Sequence, residues 1–273
     1  MKAFSRNSVL LLLLFSSFQL AMAQTPFASV GGLANVDAEG IKPLEAPRPV
    51  TPKAIVEAFI TAEASVREAL TRYTFKRDVV LQTIGANGVV TGQYIRNSQF
   101  LFDDKGNRIE RVLFRPPSTL RGMKITKEDI QDLEGAQLLG VDIAEAGKYH
   151  LEYIGPEQDA TGQLFAIDVK PARTPDPNRM RERYFVGRIW LDANTLQVVK
   201  VYGRVEPQGK QRFPVFETRR EAAGQFFFPA LTAADDILRF PKSDVHYRVR
   251  VRYYDYKRFA SKLTITEIEA PPE

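Results

Sequence analysis

The residues able to do chemistry are few and scattered. The chain has no cysteine and only two histidines, His150 and His246, far apart in sequence. Thiolate nucleophiles, disulfides and cysteine metal sites are therefore excluded. A zinc centre takes three or four His, Cys or carboxylate ligands, which two distant histidines do not supply. The G-x-S-x-G, G-x-G-x-x-G, G-x-x-x-x-G-K-[ST] and H-E-x-x-H signatures are absent. Two adjacent carboxylate pairs remain, Asp103-Asp104 and Asp235-Asp236. Neighbours on a strand point to opposite faces, which spoils a pair for acid/base work. The first pair sits in an expected hairpin turn. The second, before Ile237 and Leu238, resembles the first turn of a helix. His246, Arg248, Arg250 and Arg252 make a basic stripe that can meet phosphates, but a solvated strand face looks the same. These features point to a protein that is not an enzyme, holds no metal or cofactor and has no nucleic-acid partner.

Composition fits a folded globular chain: 273 residues, 44% hydrophobic and 26% charged. At the amino terminus Lys2 and Arg6 precede an apolar run from Val9 to Phe15 and then Ala21-Met22-Ala23. This reads as a secretory signal peptide over residues 1–23. Its removal takes away one Lys and one Arg, leaving 36 basic against 33 acidic residues, a net charge of +3. An exported, periplasmic protein is expected, without a membrane span after cleavage. A chain without cysteine cannot mispair in that compartment. Residues 24–50, with Gly31-Gly32, Pro43, Pro47 and Pro49 and no apolar period, read as a flexible leader to a single domain over 51–273.

Two kinds of element must position any site. Thr51-Pro52 looks like an N-cap followed by proline at the first helical position. Ile55, Phe59, Ala62, Val66, Leu70 and Tyr73 then recur at helical spacing, with Lys53, Glu57, Glu63, Arg67 and Glu68 read as the solvent-facing charges. From Tyr73 the period falls to two. Candidate strands are Val79–Ile84, Val89–Phe102, Arg108–Phe114, Tyr149–Ile154, Leu164–Val169, Arg183–Leu191, Leu196–Val205, Phe213–Arg219, Gln225–Phe228, Val245–Tyr256 and Leu263–Ile268. Pro116-Pro117 stops the sheet, and Thr126 with Asp129 has capping-box spacing for a short helix. The expected class is α+β and mainly antiparallel β, a strongly curved, incomplete barrel of about eleven strands with covering helices.

The most informative strand is Arg183–Leu191. Phe185, Ile189 and Leu191 make one face apolar, while Tyr184, Val186 and Trp190 stand on the other. A strand with something to hide on both faces suggests helices on one side and a ligand, a partner or loops on the other. Gly187 between bulky neighbours marks a bend.

The strings Tyr184-Phe185-Val186-Gly187-Arg188-Ile189-Trp190-Leu191-Asp192, Gln197-Val198-Val199-Lys200, Phe213 to Glu221, Phe228-Pro229-Ala230, Asp235 to Leu238 and Val251 to Phe259 resemble secreted bacterial proteins related to outer-membrane lipoprotein-sorting proteins, of the LolA and RseB type. The resemblance implies an eleven-stranded half-barrel with a helical lid and an apolar cavity for acyl chains. It implies a carrier-like protein that binds lipid or the acylated end of a lipoprotein. The alternative is an envelope interaction or sensor module on the same fold, with a protein partner. Candidate cavity residues are Phe185, Ile189, Leu191, Tyr247, Val249, Val251 and Tyr253.

Overall fold

The computed structural model describes residues 51–103, 105–126, 129, 143–160, 162–176, 183–208 and 212–259. The signal peptide, the leader and the candidate strand Leu263–Ile268 lie outside them.

Helix α1 (Pro52–Leu70) starts where the cap chemistry puts it: Thr51 is extended and its Oγ1 accepts the Ala54 N–H at 3.2 Å. Its buried stripe is Ile55, Phe59, Glu63, Val66 and Leu70. Glu63 corrects the expectation of a solvent-facing charge. A step of four from Phe59 and of three to Val66 lands it on the apolar face.

The strands are β1 (Tyr73–Ile84), β2 (Val90–Phe102), β3 (Arg108–Phe114), β4 (Tyr149–Asp159), β5 (Gly162–Pro171), β6 (Tyr184–Asp192), β7 (Val198–Glu206), β8 (Phe216–Ala223), β9 (Phe226–Arg239) and β10 (Asp244–Arg258). They form one open antiparallel sheet in the order β3-β2-β1-β10-β9-β8-β7-β6-β5-β4. Ten strands are described where eleven were expected. One α-helix, not several, covers them among the described residues. The Thr126 and Asp129 capping box does form, with reciprocal backbone bonds of 2.7 and 3.2 Å, but the segment after it lies outside the described residues.

Asp235-Asp236 does not open a helix. Both lie inside β9, because Thr232, Ala234 and Leu238 alternate inward against Ala233, Asp235 and Ile237, a period of two that the acidic pair disguised. Asp235 therefore faces outward and Asp236 the other way, where its Oδ2 accepts the Val215 N–H at 2.9 Å. Asp103 does take the turn role, accepting the Lys105 and Asn107 N–H groups.

With 19 residues, α1 is about 28 Å long, enough to reach from β4 at one edge to β9 in the middle, five strand steps or about 24 Å away, and it packs on both. Local bends are built into the strands. Bulges interrupt the pairing of β1 with β10, β4 with β5 and β8 with β9. Gly187 of β6 and Gly203 of β7 lie opposite each other, where a Cβ would stand 2.2 to 2.3 Å from the facing strand's carbonyl oxygen.

Candidate functional site

Alternation along the strands gives the sheet an inner face under α1 and an outer face. All seven candidate residues point inward and are buried, but in two groups. Phe185, Ile189 and Leu191 join Ile167, Val169, Val198 and Val201 around Ile55 and Phe59 of α1. Tyr247, Val249, Val251 and Tyr253 join Phe75, Val79, Leu81, Phe100 and Phe228 around Val66 and Leu70. The strand order, which sets β7, β8 and β9 between β6 and β10, is why they do not meet.

Between the two clusters runs a polar seam. Thr218 and Arg220 of β8 face inward, and the Thr218 and Thr232 hydroxyls share a hydrogen bond of 2.8 Å. Arg220 donates to both carboxylate oxygens of Glu63, at 2.8 and 3.0 Å, with side chains 1% and 2% exposed. Glu63 also accepts the Val198 N–H at 3.2 Å. A paired, bidentate geometry is what makes a buried carboxylate tolerable. It ties the middle of α1 to β7 and β8.

The second cover is a strap, residues 116–126, that crosses the inner face at Gly92 of β2. Thr119 exchanges backbone and side-chain hydrogen bonds with Gln93, Thr83 Oγ1 accepts the Arg121 N–H, and Leu120, Met123 and Ile125 pack on the cluster containing Tyr247. The strap passes so close that a Cβ on Gly92 would lie 2.0 Å from the Thr119 carbonyl oxygen.

Toward β3 the inner face turns ionic. Glu110 accepts from Arg77 at 2.9 Å and from Arg96 at 3.0 and 2.5 Å. Arg108 donates to the Leu70 and Tyr73 carbonyls, closing the carboxyl end of α1, and lies over the Phe75 and Phe102 rings. Burial disfavours the Glu110 carboxylate, but hydrogen bonding from Arg96 and the charges of Arg77 and Arg96 outweigh it and hold its pKa at about 2, down from 4.5. A depressed carboxyl contributes stability that is complete above its unfolded value and lost as pH falls through its folded one. Glu110→Gln is expected to be less stable at neutral pH and to lose most of the acid slope between about pH 4.5 and 2. Denaturation followed by the single tryptophan, Trp190, checks this. Any remaining slope belongs to Asp103, Asp235 and Asp255, held low chiefly by hydrogen bonds from Asn107, His246 and Lys257. Burial pushes the phenols up, Tyr253 to about 12, with Tyr247 and Tyr256 shifted the same way, so this wall of the inner face is uncharged.

On the outer face His246 and Arg248 share Asp235. The stripe thus has the alternation expected of it, and part of its charge is spent locally. Tyr202, Val186, Arg188 and Val215 line a shallow outer groove of about 360 Å³. Trp190 is held by Glu157 through its Nε1 and by the Lys200 ammonium over its ring. Among the described residues no group of three or more His, Asp or Glu side chains could hold a metal ion, and no helix is long and apolar enough to cross a membrane.

Sequence reasoning missed Glu63, Arg220 and the Arg77, Arg96 and Glu110 group. Glu63 was readable from the helical stripe. Arg220 and Glu110 hold inward places in alternating strands, but nothing local distinguishes an inward from an outward charge.

No family model and no curated protein matches the chain. Solved structures similar to it include an outer membrane lipoprotein-sorting protein domain from Vibrio parahaemolyticus, at 10% identity and TM-score 0.34, covering 76% of this chain and 94% of that one. A DUF1329 family protein from Desulfovibrio piger is similar at 12% identity and TM-score 0.34, covering 74% and 92%. MucB is similar at 15% identity and TM-score 0.28, covering 79% of this chain and 62% of MucB.

Proposed function

We propose that the protein is an exported, periplasmic, non-enzymatic binding protein that holds the acyl chains of a lipid, or of a lipoprotein's acylated end, against the inner face of its sheet. The observation that supports this reading is the pair of apolar clusters on one sheet face, split by a polar seam and bridged by a single helix. Acyl chains would take the place of Ile55, Phe59, Val66 and Leu70 against the sheet when α1 lifts. Each methylene removed from water contributes about 0.8 kcal/mol, and lifting α1 gives up its apolar contacts and the Glu63–Arg220 pair on top of the ordering cost of binding, so two acyl chains are the occupant that fits. Phe185, Ile189, Leu191, Tyr247, Val249, Val251 and Tyr253 are the proposed walls.

A fluorescent fatty-acid analogue should bind saturably and be displaced by phospholipid. Leu151, half-buried on the rim of the Phe185 cluster, separates binding from folding better than fully buried Ile189. Leu151→Asp is expected to weaken uptake about tenfold, the effect of roughly 1.4 kcal/mol. Ile154→Asp, on the exposed side of β4, should leave uptake unchanged. Equal uptake by wild type and Leu151→Asp would remove the inner face as the site.

A second reading, an envelope protein-interaction or sensor module, is favoured by one observation: the apolar side chains exposed along β3.

A further inference from the structure

The Glu63–Arg220 pair lies inside the face proposed to take acyl chains, not beside it. Ile55 and Phe59 cover the Phe185 cluster, Val66 and Leu70 cover the Tyr247 cluster, and Glu63 stands between them on the same stripe of α1. Lifting the helix takes the carboxylate away and leaves the guanidinium behind on β8. Other arginines of the inner face keep a partner. Arg77 and Arg96 pair with Glu110, which belongs to the sheet, and Arg108 keeps the Tyr73 carbonyl when it gives up that of Leu70.

A neutral lipid with a chain on each cluster would leave Arg220 between them as a cation without a counter-charge, and a buried pair that loses one partner is strongly destabilised. A lipid that brings an anion restores the pair. It meets the guanidinium where Glu63 does, through Nη1 and Nη2. A donor is also in reserve: the Arg220 Nε is buried and makes no hydrogen bond among the described residues, even with Glu63 in place. A carboxylate offers two oxygens and a phosphate more, and the Thr218 and Thr232 hydroxyls lie on the same seam.

We propose that Arg220 anchors the phosphate headgroup of a two-chain lipid set astride the seam, and that Glu63 is the built-in competitor which this phosphate displaces. The inference deepens the acyl-binding reading and rests on it.

The probes are dioctanoyl phosphatidic acid and dioctanoylglycerol, which share their chains and differ in the phosphate, titrated against the whole mature chain. Wild type should bind the phosphatidic acid at least about tenfold tighter. Changes in the unliganded protein cancel in the ratio of the two affinities, so the ratio reads the headgroup contact alone. Glu63→Leu with Arg220→Leu leaves no unpaired charge and should bring the two affinities within about twofold. Glu63→Gln with Arg220→Gln gives the same readout should the leucine pair not fold. Glu63→Gln by itself removes the competitor, so both lipids should bind tighter with the wild-type ratio kept. Equal affinities in wild type would overturn the anchor and leave acyl binding standing. A preference that survives in the double variant would put the phosphate on another cation and overturn the assignment to Arg220. A midpoint raised by inorganic phosphate alone, in wild type and not in the double variant, would make the ligand a free anion and overturn the lipid headgroup. If neither lipid binds, the acyl-binding reading and the anchor fall together.

Discussion

Arg220→Ala is expected to destabilise the protein by about 3–5 kcal/mol, the usual consequence of leaving one member of a buried ion pair without its partner. The geometry gives the reason. Glu63 sits 2% exposed on the apolar stripe of α1, and its carboxylate has two bonds from Arg220 and one from the Val198 N–H. With the guanidinium gone, one backbone N–H remains as the charge's bonded neighbour. For a chain of this size about 1 kcal/mol corresponds to 2–4 °C, so the midpoint should fall by roughly 6–20 °C. The double variant Glu63→Leu with Arg220→Leu should recover most of the loss, because apolar replacement of a buried pair is often neutral or better. It should stop about 1 kcal/mol short, since Val198 N–H loses its acceptor. Denaturant unfolding read by Trp190 distinguishes these cases. A single variant within about 1 kcal/mol of wild type would mean that the pair is not buried as described.

Gly92→Val is the second large effect. Its Cβ would meet the Thr119 carbonyl oxygen at 2.0 Å and the Leu120 Cα at 2.9 Å, backbone atoms that no rotamer change can move aside. The strap must then leave the sheet, losing its bonds to Gln93 and Thr83 and uncovering the Tyr247 side of the inner face. Overpacking and several lost hydrogen bonds together cost about 2–4 kcal/mol. The strap carries Arg121 and Lys124, so trypsin reports its release directly. Cleavage there should quicken by at least about tenfold, because a sub-global opening of that free energy is then no longer required. Gly147→Ala, where a Cβ meets nothing within 4 Å, is the neutral comparison. Unchanged cleavage in Gly92→Val would show that the strap does not depend on that close approach.

These two sites also mark where sequence reading succeeds and stops. Thr51-Pro52 and the spacing of Ile55, Phe59, Val66 and Leu70 locate α1, and alternation locates nine of the described strands and the first residues of β9, whose run on to Arg239 was not read as strand, because caps and periodicity are local signals. The basic stripe of β10 was legible for the same reason. Glu63 was read as a surface charge because residue type was weighed above position, and its partner lies 157 residues away. Asp235-Asp236 imitated a helix start while occupying alternate faces of a strand. Pairing of β1 with β10 is a long-range closure that, among the described residues, leaves β3 at the end of the sheet, and no local pattern announces it. The seven candidate residues were read as lining a cavity. They share the inner face, but the strands between β6 and β10 divide them.

The most direct measurement is mass spectrometry of organic extracts from the mature protein, purified from the periplasm without detergent beside a matched empty control. Phospholipid or acylated peptide at close to one molecule per chain, reduced in Leu151→Asp and retained in Ile154→Asp, is the expected result. A stable, folded protein that yields no lipid above the control would contradict acyl binding on the inner face.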